Sequence, residues 1–492
     1  MTRDIDRIAM SAAEDLSGGN HTPQQNKGQS KGPISYKIVA DLVMLIDGLA
    51  IFLAGLLSHY FYFSLFADGR LQLTITASFI GALLTITIFQ RRGLYLASSI
   101  DRWWEAVGNI IANWAIAFLT IVTIGFLVKI SGTYSRGWVI SWFVSGLASL
   151  FVARIIVSSA LKHPSIAPAL IRRVAVVGSG EQARQVVDHL HNSEQVEIVG
   201  IYANPLAPAN APEVLSTQGQ IQNLLEDIQT KHIYDVILAL HHDEEPDIWA
   251  IAEMLAEHPV SVRLAPEIFD LKSSHLKAEK IGSVATTTLL SPPLVGWNRI
   301  IKGLEDRILA SAFLLFFAPL FLFVAIAIKL ESKGPVFFVQ RRHGFNHEII
   351  PVIKFRSMST LEDGSSIVQA TRNDSRITRV GSFLRRSSMD ELPQLLNVLK
   401  GQMSIVGPRP HAVAHNEMYA TMIRSYSKRH TVKPGITGWA QINGYRGETR
   451  DKAMMEKRVE YDLFYIENWS LWLDLKIILL TPFRGLIHAN AY

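Results

Sequence analysis

Two adjacent carboxylates, Asp390 and Glu391, are the strongest candidates for chemistry in this sequence of 492 residues. A carboxylate can attack phosphorus and form a covalent intermediate, which divides one difficult transfer into two easier steps. Phosphoryl transfer also requires cations that neutralise the phosphate oxygens and hold the reacting groups in line. Because Arg385 and Arg386 lie just before the acidic pair, this segment predicts attack on a polyanionic substrate.

A structural interpretation competes with the catalytic one at the same residues. Ser388 and Glu391 have the spacing of a capping box, and acidic residues are common in the first turn of a helix. Both interpretations can hold together, because a helix N-terminus with free N–H groups also attracts phosphate. For Arg385 and Arg386, the sequence leaves phosphate binding and lipid-headgroup binding equally open.

Two further motifs supply cations. Lys354 and Arg356 are two residues apart in a strand-like stretch, so period two places both on one face, where they can reach one anion. The alternative is a solvated strand face. Pro408 and Pro410 fix φ on either side of Arg409, which reduces the freedom lost when this guanidinium binds phosphate. We therefore include all five residues in the predicted substrate site.

The loop at 433–438 and the nearby histidines are less specific. The loop is rich in turn residues, and either contacts a nucleotide or forms a plain structural turn. Four histidines raise the question of a metal site, but their spacing fits no zinc motif, so we expect structural or phosphate-binding roles. They are His343, His411, His415 and His430. The sequence contains no cysteine, which excludes disulfides and zinc–thiolate sites.

These motifs, taken together, resemble the polyprenyl-phosphate sugar-1-phosphate transferases of the monotopic superfamily. The resemblance covers about residues 295–492 and depends on five motifs in order, at 340–344, 354–358, 385–395, 407–411 and 433–441. The segments 410–417 and 469–474 are most similar to the undecaprenyl-phosphate glucose phosphotransferase branch. The large form of that branch has four membrane spans and then a Rossmann-like module.

The resemblance implies a two-step reaction. Asp390 would attack the β-phosphate of a UDP-hexose, UMP would leave, and polyprenyl phosphate would then attack the covalent intermediate. Glu391 would help to hold Mg²⁺, which clamps phosphate oxygens and stabilises the leaving group. Glucose follows from the resemblance alone, and galactose or an N-acetylated hexosamine stays open. The expected setting is the first membrane step of exopolysaccharide or capsule synthesis.

Four apolar stretches, each near the roughly 20 residues that a spanning helix needs, precede the motifs. They occupy 38–66, 71–89, 107–128 and 138–161. Cations are richest before the first stretch, between the second and third, and after the fourth, so the positive-inside rule places both ends of the bundle in the cytoplasm. Asp47 and Arg154 lie within the stretches, either on a substrate path or as a structural ion pair.

A fifth apolar stretch, 308–328, differs from these four. About 21 residues at 1.5 Å rise are long enough to cross, but Pro319 at the middle removes a helix hydrogen bond and kinks the chain. Both flanks are basic, whereas a crossing helix normally shows charge asymmetry. We predict a re-entrant helix that breaks at Pro319, with an ordinary span as the alternative. A re-entrant helix keeps the C-terminal domain in the cytoplasm.

The residues between the membrane stretches and the motifs predict a soluble α/β domain. Strands alternate with helices, which indicates a parallel sheet with crossover helices. Gly178, Gly180 and Ala183 fit a dinucleotide-binding turn. The second strand ends at Tyr202 without the carboxylate that would bind ribose, so we favour a structural or regulatory domain over a bound dinucleotide.

The sequence thus predicts a membrane α-helical bundle plus α/β domains: four transmembrane helices, a Rossmann-like parallel-sheet domain, a re-entrant membrane helix and an α/β catalytic domain. The expected boundaries are a disordered cytoplasmic tail at 1–33, the bundle at 34–165, the Rossmann-like domain at 166–294 and the catalytic region at 295–492. The amphipathic segment Tyr461–Leu479 either lies at the membrane interface or packs into the domain core.

Composition limits the partners. Hydrophobic residues form 49% of the chain, which is too apolar for an ordinary cytosolic enzyme, and the net charge of +5 comes without the basic run that nucleic acid binding needs. We expect a multi-pass protein of the bacterial inner membrane, with UDP-hexose, polyprenyl phosphate and membrane lipid as partners and a homo-oligomer left open. Two other functions compete: a non-enzymatic scaffold that senses nucleotide, and a Rossmann oxidoreductase.

Overall fold

A computed structural model describes most of the chain. The described residues are 35–63, 71–129, 134–191, 193, 195–206, 214–240, 245–265, 278–282, 284–359, 376–411, 413–423, 425–445 and 452–487. The predicted tail at 1–33 lies outside them. Contacts divide the chain into two compact units, one of Lys31–Ile171 and one that contains Arg172–Tyr492. Each unit is described by itself.

Long apolar helices form the unit Lys31–Ile171. In chain order the helices are α1 (Tyr36–Phe63), α2 (Leu71–Arg91), α3 (Ala97–Asp101), a 3₁₀ turn (Trp103–Ala106), α4 (Val107–Leu127), α5 (Arg136–Leu161) and α6 (Ala167–Leu170). Trp138 and Trp142 of α5 donate their indole N–H groups to α1 carbonyls, at 3.1 Å each. Arg154 donates to Asp47 at 2.7 Å, and both are buried, so they form the structural ion pair.

Helices that could cross a membrane occur in this unit and also outside it. Within the described residues, five helices are long and apolar enough to cross a membrane by length and composition. Four lie in the unit Lys31–Ile171 and match the four predicted apolar stretches, and the fifth is α10, at Trp297–Glu331. These helices indicate a multi-pass membrane protein.

A six-stranded sheet with flanking helices follows. Its elements are β1 (Arg172–Val177), α7 (Glu181–His191), β2 (Val196–Tyr202), α8 (Ile221–Thr230), β3 (Asp235–Leu238), α9 (Glu245–Leu255), β4 (Ser261–Leu264), β5 (Ala278–Ile281) and β6 (Val284–Leu290). The strand order is β2-β1-β3-β4-β6-β5. The first four strands are parallel, as predicted, but β6 pairs antiparallel with β4 and β5. The sheet is therefore mixed, because the two-residue connection between β5 and β6 can join only antiparallel strands.

The glycine turn after β1 closes tightly on the sheet. Gly178 has φ +131°, and a Cβ there would lie 2.4 Å from the carbonyl oxygen of Ala239, so a side chain does not fit. At the end of β2, Tyr202 donates its hydroxyl to Asp227 at 2.6 Å. The position that would hold a ribose-binding carboxylate thus carries a buried tyrosine that serves the domain's own packing.

The remaining elements lie in the predicted catalytic region and occupy residues 297–487, which we name the catalytic segment. They are α10, β7 (Phe337–His343), a 3₁₀ turn (Phe345–His347), β8 (Ile349–Phe355), α11 (Arg379–Ser387), a 3₁₀ turn (Met389–Glu391), α12 (Gln394–Leu399), β9 (Ser404–Val406), α13 (Val413–Met422), a 3₁₀ turn (Tyr426–Thr431), β10 (Gly435–Thr437), α14 (Trp439–Ile442), α15 (Lys452–Glu467) and α16 (Leu471–Ile487). Strands β7 and β8 form an antiparallel hairpin, and β9 pairs with β10 in parallel.

Helix α10 contacts this segment at both of its ends. In its first half, Asp306 accepts hydrogen bonds from Ser404 and from the N–H of Ile405. At the other end, the carboxylate of Glu331 accepts from the N–H groups of Arg379 and Val380. The middle is different, because apolar side chains there are largely exposed, for example Leu315 (80%), Phe316 (75%) and Phe323 (70%).

The predicted amphipathic segment Tyr461–Leu479 is two helices rather than one. Helix α15 ends at Glu467, and the Ser470 hydroxyl accepts the N–H of Leu473 to begin α16. Trp469 lies between them and donates to the buried Asp474 at 3.0 Å. Trp472, by contrast, is 74% exposed. Packing into the domain therefore describes Trp469, whereas Trp472 is exposed, as a position at the membrane interface would require.

Candidate active site

The acidic pair lies in a strained turn after α11. Ser388 has φ +55°, a left-handed conformation that is uncommon for a residue with a side chain, and it directs the chain into the 3₁₀ turn that carries Asp390 and Glu391. No side chain caps this turn at Ser388. The capping-box prediction is wrong, because the Glu391 carboxylate is bound elsewhere.

Glu391 is held by two cations. Its Oε1 accepts from Lys354 Nζ at 3.1 Å and from Arg409 Nη2 at 2.6 Å, and its Oε2 accepts from Arg409 Nη1 at 2.9 Å. The arginine contact is bidentate, the geometry that fixes a carboxylate most firmly. Glu391 is buried, so this pairing offsets a large desolvation cost.

Asp390 is half-buried beside this array, and its protonation is perturbed. Burial, followed by the adjacent charge of Glu391, raises the pKa of Asp390 to about 6, while Lys354, Arg385 and Arg409 act in the opposite direction. A carboxylate poised near neutrality in a cationic setting is a frequent mark of a functional site.

Arg409 is carried by a rigid turn that begins at the end of β9. The N–H of Gly407 donates to the carbonyl of Thr437, and the N–H of Gly435 donates to the carbonyl of Pro408, both at 2.9 Å. A Cβ at Gly435 would lie 2.1 Å from the backbone nitrogen of Gly407, so the two loops approach as closely as only glycine permits. The loop 433–438 therefore supports the turn of Arg409, and its contact with a nucleotide stays a prediction.

A second layer behind Arg409 was missed by the sequence analysis. Arg429, which is buried, donates to the carbonyl of Arg409 at 2.9 Å, to Asp462 Oδ2 at 2.8 Å and to His411 Nδ1 at 3.0 Å. Arg429 and Asp462 lie 33 residues apart, on the 3₁₀ turn before β10 and on α15. No spacing in the sequence signals such a pair, because only the fold brings the two elements together.

Lys354 and Arg356 do not share one target. Lys354 contacts Glu391, whereas Arg356 donates to the carbonyls of Ser332 and Lys333, at 2.8 Å each, just beyond the end of α10. The prediction that both cations reach one anion is therefore wrong for Arg356. This residue follows the last residue of β8 and binds the carbonyls left open at the end of α10.

The other predicted cations and prolines surround the pair. Arg385 is half-buried and close enough to affect Asp390, and Arg386 is exposed and donates to Ser382 at 3.2 Å. Pro408 is buried, and the carbonyl of Pro410 accepts from Arg342 at 3.2 Å. An open cleft of about 270 Å³ lies beside Glu391 and its two cations. It is lined by Arg342, Lys354, Glu391, Gln394, Arg409 and Pro410.

Three of the four predicted histidines have described side chains: His343 on β7, His411 beside Arg429, and His430 in the 3₁₀ turn before β10. The side chain of His415 lies outside the described residues. His343 and His430 pack near His347, with ring centroids 6.2 Å and 4.3 Å from it. Burial, and then the neighbouring charges, keeps the pKa of His430 well below its usual range. A neutral packed ring is the structural role that the sequence predicted.

The acidic pair fits a divalent cation in donor type. Mg²⁺ is commonly bound by one or two carboxylates, with substrate phosphates and water completing its shell. Asp390 and Glu391 can supply those carboxylates, although Lys354 and Arg409 already contact Glu391. Within the described residues, no group of three or more acidic or histidine side chains is arranged for a metal. The pair alone therefore suits a cation that arrives with phosphate.

Two family models and several curated relatives match this chain. The bacterial sugar transferase family matches residues 297–488, and a CoA-binding domain family matches residues 90–266. A UDP-glucose:undecaprenyl-phosphate glucose-1-phosphate transferase of Xanthomonas campestris pv. campestris is 39% identical over 97% of this chain and 99% of its own length. The Escherichia coli K12 protein of the same name is 39% identical over 84% of this chain and 89% of its own.

A third relative extends the range of sugars. A UDP-N-acetylgalactosamine-undecaprenyl-phosphate N-acetylgalactosaminephosphotransferase of Aeromonas hydrophila is 40% identical over 43% of this chain and 48% of its own length. These relatives are enzymes, which disfavours both the scaffold and the oxidoreductase interpretations. With identity of this extent over almost the whole sequence, the chain belongs to the bacterial sugar transferase family, as a polyprenyl-phosphate hexose-1-phosphate transferase.

Proposed function

We propose that this enzyme transfers glucose 1-phosphate from UDP-glucose to undecaprenyl phosphate, and that the products are UMP and undecaprenyl diphosphate-glucose. The observation that carries the proposal is a half-buried Asp390 with a raised pKa beside Glu391, which Lys354 and Arg409 hold in place. Glucose is chosen because the relatives that match most of the chain are named for it. The reaction would begin exopolysaccharide or capsule synthesis.

The first chemical step forms an aspartyl phosphate. A carboxylate oxygen of Asp390 attacks the β-phosphorus, and the bond from that phosphorus to the bridging oxygen breaks, so UMP leaves with both electrons. Lys354, Arg385 and Arg409 lie near Asp390 and offset the negative charge that gathers there. Glu391 fixes the two cations that contact it and so orients them toward the cleft.

The second step regenerates the carboxylate. An oxygen of polyprenyl phosphate attacks the same phosphorus, the bond to Asp390 breaks, and the lipid diphosphate sugar forms. Mg²⁺ bound at Glu391 would supply charge neutralisation to the phosphate oxygens. Arg385 and Arg386 stay assigned to phosphate or to headgroups, and the exposed Arg386 favours the headgroups.

Helix α10 runs through Pro319 as one helix, so the predicted break is not seen there, but the contacts of the helix support a re-entrant arrangement. Both ends of the helix hydrogen-bond to one catalytic segment, through Asp306 and Glu331, while its exposed apolar middle suits lipid. A single domain on one face of the membrane reaches both ends of a helix most simply when that helix returns to the face it left. With four spans before it, the catalytic segment would then lie on the cytoplasmic face of the inner membrane.

The covalent mechanism is tested by single-turnover chemistry in lipid nanodiscs with UDP-glucose labelled in the sugar. Without polyprenyl phosphate, we expect a burst of one UMP per enzyme and labelled protein that hydroxylamine releases. Asp390→Asn should give neither product. A labelled protein that transfers its sugar phosphate to added undecaprenyl phosphate completes the proof.

Two results would overturn parts of the proposal. UMP release that requires the acceptor would replace the covalent intermediate with direct transfer. A panel of UDP-galactose, UDP-N-acetylglucosamine and UDP-N-acetylgalactosamine in the same assay tests the sugar, and preference for any of them over UDP-glucose would reject glucose while leaving the mechanism intact.

A further inference from the structure

Behind the turn of Arg409 lies a group of buried side chains with more positive than negative charge. We name it the rear cluster and define it as His411, Arg429, Arg458 and Asp462, which are all buried. Arg429 is well satisfied, because it donates to Asp462, to His411 and to the carbonyl of Arg409. The cluster thus contains two arginines and one carboxylate in a region with little solvent, and Asp462 is bound by Arg429.

The hydrogen bonds fix the tautomer of His411. Its Nδ1 lies 3.0 Å from Nη1 of Arg429, and a guanidinium can only donate, so Nδ1 must accept. Burial, and then Arg429 and Arg458, keeps the pKa of His411 well below its usual range, so the ring is neutral and its proton is on Nε2. That Nε2–H is buried and has no acceptor among the described residues.

Arg458 also has buried N–H groups without acceptors among the described residues, and it carries a positive charge. Its Nε and Nη2 are buried and have no hydrogen-bond partner among the described residues, although only 4% of the residue is exposed. It lies four residues before Asp462 on α15, which puts both on one helix face. Burial and the nearby Arg429 lower its pKa to about 9, so Arg458 still carries its charge at neutral pH.

The unsatisfied atoms of His411 and Arg458 are all donors, so a ligand must supply acceptors, and the guanidinium of Arg458 favours a negatively charged one. Water would satisfy a donor but would not neutralise a buried guanidinium, whereas an oxyanion does both. The cluster also adjoins the cleft, because Arg342 lines the cleft and donates to the carbonyl of Pro410, the residue before His411.

We propose that Arg458 and the Nε2–H of His411 form a second phosphate subsite, which binds a phosphate group of the nucleotide donor while Lys354 and Arg409 serve the phosphate that Asp390 attacks. This subsite rests on the proposed function, since that function supplies a diphosphate. The donors are closed off from solvent in this conformation, so entry of the ligand requires side chains between them and the cleft to move.

Arg458→Met, which keeps length and removes charge, tests the subsite in the full-length protein in nanodiscs. The matched control is Lys457→Met, one residue away on the same helix and exposed. An unpaired buried charge destabilises the ligand-free protein, so Arg458→Met should raise its thermal unfolding midpoint. The same variant should raise KM for UDP-glucose at least tenfold and lose the midpoint increase that UMP gives the wild type. Lys457→Met should change none of the three.

Two probes identify the source of the phosphate: UMP and farnesyl phosphate. The proposal requires that Arg458→Met lose the UMP shift and keep the farnesyl phosphate shift. Loss of the farnesyl phosphate shift alone would assign the subsite to the lipid and overturn the nucleotide assignment. A lower midpoint for Arg458→Met would reveal a structural partner and also overturn it.

Binding of UMP needs no turnover, so these results are independent of the transfer reaction. If the wild type transferred no sugar phosphate but Arg458→Met still abolished the UMP shift, the proposed function would fail and the subsite would stand. Unchanged KM and an unchanged UMP shift in an active Arg458→Met enzyme would reject the subsite alone.

Discussion

The Rossmann-like domain and the catalytic segment both bury carboxylates against arginines, but they balance these charges differently. In the Rossmann-like domain, Asp235 lies between Arg263 at 2.8 Å and Arg172 at 3.3 Å, and Arg263 also donates to Thr288. These contacts join neighbouring strands of the sheet. Each charged group of this cluster therefore has its partner within the domain.

The catalytic segment leaves its charges less balanced. Burial and a neighbouring carboxylate raise the pKa of Asp390, and Arg458 is buried without a hydrogen-bond partner at two of its nitrogens among the described residues. Charge that the fold does not compensate is available to a ligand. The comparison teaches that a buried arginine or carboxylate indicates a binding site only where the protein itself does not neutralise its charge.

The largest effect should come from Asp390→Asn. The amide is a poor nucleophile, so we expect transfer to fall by at least about 10³-fold. Because burial disfavours the charged carboxylate, the same change should raise the thermal unfolding midpoint. Labelled transfer and thermal unfolding of one preparation measure both effects. An Asn variant with near-normal transfer would remove the proposed nucleophile and the contrast between the two regions.

A matched pair of arginine variants sharpens the comparison. Arg409→Met should lower turnover by roughly 10²-fold, because it removes a preorganised cation from the reacting phosphate. Its stability should fall less than that of Arg263→Met, since the Arg409 side chain is 25% exposed against 6% for Arg263, and Lys354 still holds Glu391. Arg263→Met should do the reverse and cost about 3 kcal/mol of stability, since it leaves a buried carboxylate short of a partner.

Steady-state kinetics and chemical unfolding at 25 °C separate the members of this pair. Equal kinetic damage from Arg263→Met would show that the Rossmann-like domain takes part in transfer.

Below about pH 6, the rate of the UMP burst should fall about tenfold for each unit by which the pH decreases. Attack requires ionised Asp390, whose pKa is raised to about 6, so the burst rate should be level above pH 7 and fall below pH 6. The stability effect has the opposite sign. Because the folded pKa lies above the unfolded one, the carboxylate destabilises the fold fully above pH 6 and not at all below about pH 4.

The difference in midpoint between wild type and Asp390→Asn should therefore disappear as the pH falls from 7 to 4. A burst rate that stays constant from pH 5 to 8 would contradict the assignment.

Much of this arrangement follows from the sequence because its signals are local. Apolar length located α1, α2, α4 and α5, and strand–helix alternation located β1 to β4. The proximity of Asp390 to Lys354 and Arg409 came from motif resemblance, which carries long-range information that spacing lacks. Local rules failed where a tertiary contact competed, as when Glu391 bound Lys354 and Arg409 instead of capping its own turn.

The other features could not be predicted from the sequence, because they depend on contacts between elements that are distant along the chain. The antiparallel β5–β6 hairpin was not predicted, because the pairing of β6 with β4 depends on the completed sheet rather than on local sequence. The contacts of Arg429 and Arg458 join elements that are distant in sequence, and burial, which determines whether a charge is satisfied, is not a local property. Arg356 shows the same limit, since its partner is a helix end.

The smallest effect on transfer should come from Gly178→Ala, which is the sharpest test of the Rossmann-like domain. Gly178 has φ +131°, and a Cβ there would meet the carbonyl oxygen of Ala239 at 2.4 Å, so the change should cost about 1–3 kcal/mol of stability. If the domain is structural, kcat and KM of the folded fraction at 20 °C should stay within twofold of the wild type. Gly180→Ala is the matched control, because no atom lies within 4 Å of a Cβ at that position. A rise in KM for both variants, without loss of stability in the second, would instead assign the turn to a ligand and make the two regions partners in one function.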